Sequence, residues 1–247
     1  MFANYFHIAL KIFEKNKLFS LLNVLSLALG MACCLLIFLF VKYEFSYDKQ
    51  FDDFDNIYRI QRSFFDGADS SVDLATTAPR VGPLLKQDFS EVLDSTRIRI
   101  EQAPIAKDRN VIFEKYIGWV DSNFFEFFNV DFVFGQPGQM VLDPTSVVLS
   151  RSASLRYFGE KNPIGDTLLL NGELELQVMG VFEDFPQNSH MKADVIMTIE
   201  LVDDLMGMDQ LESWGANSYY TYFKLQEGVE VKSCLLYTSP SPRDSDQ

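Results

Sequence analysis

The chain has 247 residues, of which 47% are hydrophobic, and it carries a formal net charge of −14 at pH 7. This length allows one or two domains, and the composition is that of a folded protein with many phenylalanines. The acidity argues against nucleic-acid binding, because a domain that contacts the phosphate backbone needs a positively charged face. We therefore expect no nucleic-acid partner.

An uncharged segment, residues 18–41, lies close to the N-terminus and reads LFSLLNVLSLALGMACCLLIFLFV. As a helix rising ~1.5 Å per residue it would be ~36 Å long, enough to cross a ~30 Å hydrocarbon core. Lys11, Lys15 and Lys17 precede it, whereas mostly acidic residues follow it. The positive-inside rule then places the N-terminus in the cytoplasm and everything from Tyr43 onward outside. The lipid bilayer is thus the first expected partner.

Two alternatives to a membrane span are less favoured by the residues. A cleaved signal peptide has a shorter apolar region, of about 7–15 residues, and ends in small residues, but here the bulky stretch LLIFLFVKYEF runs up to and past the boundary. A lipoprotein anchor at Cys33 would need a large aliphatic residue where Gly30 stands, and the apolar run continues past the cysteine. We expect the segment to remain a membrane-spanning helix.

Residues 1–17 have two interpretations that stay open. Aromatic and aliphatic residues recur at helical spacing, and the lysines gather toward the end of the segment. This pattern suits an amphipathic helix in the cytoplasmic membrane interface, and it equally suits a cytoplasmic extension of the spanning helix.

The cysteines predict an outer domain without disulfides. Cys33 and Cys34 fall inside the apolar segment, and Cys234 has no partner in the outer region. A domain of about 190 residues is large enough to fold by burying an apolar core alone.

The stretch after the span is rich in aromatic and acidic residues and leads into IYRIQRSF, which alternates like a strand. Its acids, Asp48, Asp52, Asp53 and Asp55, lack the spacing and the glycine turn of a calcium loop. We interpret them as a solvated acidic face.

Further along, TTAPRVGPLLKQDFSEV predicts a short helix capped by Thr77, and STRIRIEQ predicts a strand. The next segment, VIFEKYIGWVDSNFFEFFNV, predicts a strand, a turn and a short helix with Asp121 or Ser122 at the cap. Its four phenylalanines, Phe124, Phe125, Phe127 and Phe128, are typical of a core with one interface side, although such a patch could also hold a hydrophobic ligand.

The stretch YFGEKNPIGD, residues 157–166, has two glycines that could cradle a ligand or turn the chain. The preceding residues predict a strand over 146–149, a cap at Ser150 and a helix that ends at Gly159. The following residues predict a hairpin turning at Asn171 and Gly172. Because the stretch leaves a helix and carries acids that repel phosphate, we interpret it as a corner and not a phosphate loop.

No pattern in the chain indicates an active site. Ser146, Ser150, Ser152 and Ser154 lack a G-x-S-x-G elbow, and His190, the one histidine of the outer region, lies in FEDFPQNSHM, which is typical of a polar turn. Glu183 and Asp184 would point to opposite faces of a strand. Metal-ligand spacings are absent as well. We therefore predict no enzyme activity and no catalytic, cofactor-binding or metal-binding residues.

The order of the pieces closely resembles the N-terminal half of ABC-transporter permeases of the MacB/FtsX type. The resemblance covers residues 1 to about 232 and rests on YEFSYDKQFDDFDNIYRI, TTAPRVGPLLKQDFSEV, WVDSNFFEFF, SVVLSRSASLRYFGEKNPIGDTLLLNG, VMGVFEDFPQNSHMKADVIMTI and WGANSYYTYFKLQEG, in that order. Each motif is a loose turn or cap, but six in sequence are specific.

The resemblance implies an α+β fold: one transmembrane helix of the bacterial inner membrane, then a MacB-like periplasmic core domain over residues 43–232, with a second lobe inserted between about 95 and 175. We expect short helices to pack on one side of its strands. The resemblance also implies a separate ABC ATPase subunit, a homodimer or heterodimer of permeases, and in some relatives a periplasmic partner protein. The domain would couple ATP hydrolysis to substrate movement or to partner regulation.

After Lys232 the chain departs from the family pattern and becomes SCLLYTSPSPRDSDQ. Residues 233–247 resemble translated sequencing adapter, and the three later spans of the family are not present, so we expect a C-terminally truncated fragment. The alternative function is a single-pass membrane protein whose acidic outer domain binds a ligand or acts as a sensor. A membrane-tethered enzyme using His190 or Ser150 is a third interpretation.

Overall fold

The computed structural model describes residues 5, 15–47, 51, 54–65, 71–136, 138, 144–206, 210–226 and 228–229. The predictions for most of residues 1–14, for Asp48, Asp52 and Asp53, and for the tail 233–247 lie outside these residues. The chain divides into two units, Met1–Tyr47 and Asp48–Gln247.

The first unit contains helix α1, Lys17–Glu44, which encloses the predicted span 18–41. No residue of α1 is buried, and it is the one helix of the described residues that is long and apolar enough to cross a membrane. The Ser26 hydroxyl donates to the Leu22 carbonyl at 2.8 Å, so this polar group is satisfied within the helix. The predicted long apolar helix is confirmed.

The second unit mixes short helices with strands, and the α+β class is confirmed. Its helices α2 to α5 span Val81–Asp88, Phe124–Phe127, Arg151–Phe158 and Glu200–Met206. Its strands β1 to β11 span Ile57–Arg59, Arg62–Phe65, Ser71–Leu74, Val92–Lys107, Asn110–Val120, Phe132–Phe134, Ser146–Ser150, Thr167–Leu170, Leu174–Phe182, Val195–Thr198 and Tyr220–Leu225.

Six strands of the domain pair in a closed cycle, in the order β4, β5, β10, β7, β9, β8 and back to β4. The β5–β10 and β7–β9 pairs are parallel, and the other pairs are antiparallel. Strand β11 pairs with the first half of β4 and carries β1, while β6 pairs with β9. Such closure leaves few open strand edges.

The core has two parts, one on each face of the strands. Val147 and Leu149 belong to one buried cluster and Val148 to the other, as the twofold alternation of a strand requires. All six strands of the cycle contribute to the first cluster, which therefore fills the barrel interior. The second cluster lies on the outer face and contains all four phenylalanines of the patch at 124–128.

The phenylalanine patch is entirely core. Phe124, Phe125, Phe127 and Phe128 are each at most 4% exposed, and their rings make edge-to-face contacts with one another at centroid distances of 4.9–5.5 Å. The predicted interface side of this patch is thus not present.

Helices cover both faces, so the prediction of helices on one side is wrong. Helix α3 contributes to the outer cluster, whereas α4 and α5 contribute Ala153, Tyr157, Leu201 and Val202 to the barrel cluster. The reason is that both faces of the central strands are apolar, and helices pack on each face to shield it from water. A second lobe was expected between about residues 95 and 175. These residues instead supply most of β4, all of β5 to β8 and part of β9 to the main sheet of the domain, which forms one unit.

Two predicted helix caps are also wrong. Helix α2 begins at Val81 without a side-chain cap, and Thr77 instead pairs with Tyr219 through two backbone hydrogen bonds. Helix α3 follows Asn123 and has no side-chain cap, and the Asp121 carboxylate accepts from Arg97 instead.

Candidate functional site

The predicted corner at 157–166 connects α4 to β8, and the structure confirms it as a turn. Gly159 and Gly165 have φ of 66° and 88°, a region that favours glycine. The N–H groups of Ile164, Gly165 and Asp166 donate to the Asn162 side chain, the Val178 carbonyl and the Pro163 carbonyl. These three N–H groups are therefore hydrogen-bonded within the domain.

The predicted cap at Ser150 is confirmed. Its hydroxyl oxygen accepts from the Ala153 N–H at 3.1 Å and donates to Asp194 at 3.3 Å. His190 lies elsewhere, with Nε2 2.5 Å from the Tyr222 hydroxyl. The structure therefore does not bring Ser150 and His190 together as a nucleophile and base.

Glu183 and Asp184 lie beyond the end of β9, so the premise that they sit on a strand is wrong. Both reach the start of α4: Glu183 pairs with Arg151 at 2.9 Å, and Asp184 accepts from the Ser152 N–H at 2.9 Å. Carboxylates at a helix N-terminus are favourable because they complement its unsatisfied N–H groups. Their contacts are structural.

Arg97 and Asp121 form a buried ion pair that fixes the end of β5 against β4. The Arg97 guanidinium donates to Asp121 at 2.6 and 2.9 Å and to the Pro79 carbonyl at 2.7 Å. Burial alone would lower the pKa of Arg97, but the hydrogen bond and charge of Asp121 outweigh it and raise that pKa. All three nitrogens of the Arg97 guanidinium thus donate hydrogen bonds within the domain.

A second ion pair, in which the carboxylate is buried and the arginine is exposed, joins α4 to β5. Glu114 is 4% exposed, and its carboxylate accepts from Arg156 at 3.0 Å and from the Tyr157 hydroxyl at 2.8 Å. Arg156 also pairs with Asp194 at 3.3 Å. Burial and the hydrogen bond to Glu114 raise the pKa of Tyr157, which keeps the phenol neutral. Each charge faces a partner, so the cluster crosslinks α4, β5 and the residue before β10.

Sequence reasoning did not find these two ion pairs. Arg97 and Glu114 lie on strands among other charged residues, and nothing in their spacing distinguishes a buried charge from an exposed one. Only the pairing of β4 with β5 and the position of α4 bring the partners together.

The described residues line at least two cavities of similar size. The barrel-mouth cavity, about 360 Å³, is lined by residues of β4, β5, α5 and the β8–β9 turn, including Trp119 and Glu173. The aromatic cavity, about 370 Å³, lies over β1, β11 and β4 and includes Tyr220, Tyr222 and His190. Among the described residues no group of three or more His, Cys, Asp or Glu could hold a metal ion.

The described residues thus form an apolar helix long enough to cross a membrane, followed by a mixed α/β domain braced by internal ion pairs. The family model of the MacB-like periplasmic core domain matches residues 20–234, which include most of α1 and the outer domain. The chain belongs to this family. Its members are permease components of ABC transporters and work with an ABC ATPase and the membrane.

Solved structures share this fold. A domain assigned to a permease protein from Porphyromonas gingivalis is 21% identical with a TM-score of 0.65, and the match covers 75% of this chain and 79% of that one. The periplasmic region of MacB from Actinobacillus actinomycetemcomitans is 15% identical with a TM-score of 0.55, covering 73% and 79%. No curated protein sequence gives a significant match.

Proposed function

We propose that the chain acts in a permease subunit that couples ATP hydrolysis by a separate ABC ATPase to movement of its outer domain. In this proposal α1 crosses the bacterial inner membrane with its N-terminus in the cytoplasm, and residues 43–232 form the periplasmic domain. Permeases pair as a homodimer or heterodimer, and the domain moves a substrate or regulates a periplasmic partner protein. The family match, which runs without a break from α1 into the outer domain, carries the proposal.

The construction of the domain supports its use as a rigid body. Six strands close on themselves, so no strand of the cycle can slide without breaking hydrogen bonds to two neighbours. The Arg97–Asp121 and Glu114–Arg156 pairs add crosslinks between elements, each with one buried charge. Force applied at one end would therefore displace the whole domain.

The connection between span and domain supports coupling as well. Only residues 45–56 separate Glu44, the last residue of α1, from Ile57, the first residue of β1. Twelve residues span at most ~40 Å when fully extended. A tether of this length transmits a displacement of α1 to the domain far better than a long flexible linker would.

Electron paramagnetic resonance on the permease–ATPase complex in nanodiscs tests the proposal. The native cysteines are replaced, and spin labels are placed at Lys15→Cys and Arg109→Cys, one before α1 and one in the β4–β5 turn. ATP is expected to change this distance. A control pair within the domain, Ser90→Cys and Arg109→Cys, is expected to keep its distance, because the domain moves as one body.

A linker insertion separates coupling from simple binding. Six Gly/Ser residues inserted directly after Tyr47 are expected to abolish the ATP-dependent change in the distance between the two labels, while ATP hydrolysis continues. The matched control is the same insertion between Asn171 and Gly172, in the exposed β8–β9 turn, which leaves the change intact. If ATP never alters the Lys15–Arg109 distance, the coupling proposal fails and the single-pass binding protein becomes the better account.

A further inference from the structure

The aromatic cavity is built on the outer face of three neighbouring strands. Strand register places Arg59 of β1 beside Tyr222 of β11, and Tyr220 of β11 beside Ile98 of β4. Paired residues on adjacent antiparallel strands point to the same face and stand ~5 Å apart. The side chains of Arg59, Tyr220 and Tyr222 therefore lie on the same face of the sheet, next to the apolar side chain of Ile98.

The segment just before β10 forms the opposite wall. His190 Nε2 lies 2.5 Å from the Tyr222 hydroxyl, which fixes the segment against β11. Met191 is 3% exposed and contributes to the floor, whereas Lys192 is exposed at the mouth. The cavity volume of about 370 Å³ lies in the range of small-molecule sites.

The charge of the cavity is opposite to that of the domain. Residues 43–232 contain 32 acidic and 16 basic residues, yet the described residues that line the cavity include Arg59, Lys192 and His190 and no carboxylate. Within the described part of the chain neither Arg59 nor Lys192 has an ion-pair partner. Asp194, the nearest acid in sequence to Lys192, is engaged by Arg156 and Ser150.

We propose that the aromatic cavity binds an amphiphile with an anionic head, a carboxylate or a phosphate. The head pairs with Arg59 and Lys192 at the mouth, and the chain packs on Ile100 and the tyrosine rings. Free cations at the rim of an apolar cavity favour an anionic ligand over a neutral or cationic one of the same shape. The site is independent of ATP coupling and would serve a permease or a binding protein.

Photo-labelling of the full chain in phosphatidylcholine nanodiscs tests this site. The probes are a diazirine derivative of hexadecanoic acid, the alcohol of the same chain and the amine of the same chain. The carboxylate is expected to label peptides containing Met191 or Tyr220 about tenfold more than the alcohol, and the amine least. Equal labelling by the carboxylate and the alcohol would overturn the proposal.

Substitutions of Arg59 and Lys192 test whether these two residues contact the anionic head of the ligand. Arg59→Gln with Lys192→Gln is expected to reduce carboxylate labelling about tenfold, because two exposed ion contacts each change binding by a few fold. The matched control, Arg109→Gln with Lys161→Gln, removes the same charge at exposed positions outside the cavity and leaves labelling unchanged. Labelling that survives the first pair and falls with the second would refute the assignment.

Competition identifies the source of the amphiphile. If excess free decanoate suppresses labelling, the ligand is a free anionic amphiphile. If suppression instead requires phosphatidylglycerol in the nanodisc, the ligand is an anionic membrane lipid. If neither competes, the anionic head does not determine binding and the proposal is wrong.

Discussion

Glu114 places a carboxylate inside the domain, where its side chain is 5% exposed and is held by Arg156 and Tyr157. Glu114→Ala leaves the buried Tyr157 hydroxyl without this acceptor, whereas Arg156, at 37% exposed, can turn to water. We expect a loss of about 2 kcal/mol in the free energy of unfolding. Thermal unfolding of the full chain in a neutral detergent would show a fall of roughly 4–8 °C in Tm.

Glu183 provides the matched control for this prediction. It also pairs with an arginine of α4, but the Arg151 and Glu183 side chains are 57% and 49% exposed. Because water replaces the lost contact, Glu183→Ala should cost about 0.5 kcal/mol or less. Equal effects of the two substitutions would mean that the Glu114 pair does not brace the domain.

Tyr157 makes a pH-dependent contribution to stability. Burial, together with the hydrogen bond to Glu114, raises its pKa above the ordinary value of 10.0. The stabilisation is therefore complete below pH ~10 and is lost as pH rises above that value, since the unfolded chain ionises first. Tyr157→Phe should lower Tm at pH 8, and the deficit relative to the wild type should shrink between pH 10 and pH 11.

Tyr116→Phe serves as the comparison for the pH series, because Tyr116 is 40% exposed. Its Tm should follow the wild type from pH 8 to pH 11. A Tyr157→Phe deficit that stays constant across the series would contradict the assigned titration.

At the residue scale the sequence predicts the turns and the Ser150 cap, but it does not predict the starts of α2 and α3 or the buried charges. The Ser150 cap depends on neighbours three residues away, and the positive φ of Asn171 and Gly172 depends on the turn itself. The partners of Glu114 lie 42 and 43 residues further along the chain. No local pattern encodes such a distance, so the ion pair could not be predicted.

Strand β6 depends on a glycine in its neighbour β9. A Cβ built at Gly180 would lie 2.8 Å from Phe132 Cε1 and 3.4 Å from the Phe134 carbonyl oxygen. The Phe132 ring already packs edge-on against Phe125 at 4.9 Å, so it has little room to retreat. Gly180→Ala should cost about 2 kcal/mol and raise amide hydrogen exchange in β6.

A second substitution shows whether this clash is the cause. Phe132→Leu in the Gly180→Ala background should restore more than half of the lost stability, a coupling that a double-mutant cycle measures. Gly215→Ala is the control, since its nearest contact would be ordinary, 3.7 Å from Ser213 Oγ. Additive effects of the Gly180 and Phe132 substitutions would refute the steric explanation.

At the element scale, local hairpins were predictable and the closure of the barrel was not. The alternation of Leu174, Leu176 and Val178 with polar residues identifies β9, and Asn171-Gly172 joins it to β8. Closure requires β8 to pair with β4 at Ile105 and Ala106, more than 60 residues earlier. The helices on both faces follow from that closure, which is why the one-sided arrangement failed.

The whole molecule joins a helix without buried residues to a domain with a full apolar core. Helix α1 satisfies its backbone internally and exposes apolar side chains along its length, which suits hydrocarbon and not water. The outer domain instead buries its apolar clusters and is strongly acidic. Membrane anchoring through α1 follows from this contrast and from the permease family.

The orientation of α1 gives the final prediction. Cys33, Cys34 and Cys234 are replaced, and single cysteines are introduced as Lys15→Cys, before α1, and Arg109→Cys, in the exposed β4–β5 turn. A membrane-impermeant maleimide should label Arg109→Cys in intact spheroplasts but Lys15→Cys only after permeabilisation, because the lysines before the span favour the cytoplasm. The reverse pattern would invert the topology. Labelling of both without permeabilisation would mean that α1 does not span the bilayer, and ATP hydrolysis in the cytoplasm could then not move the outer domain through it.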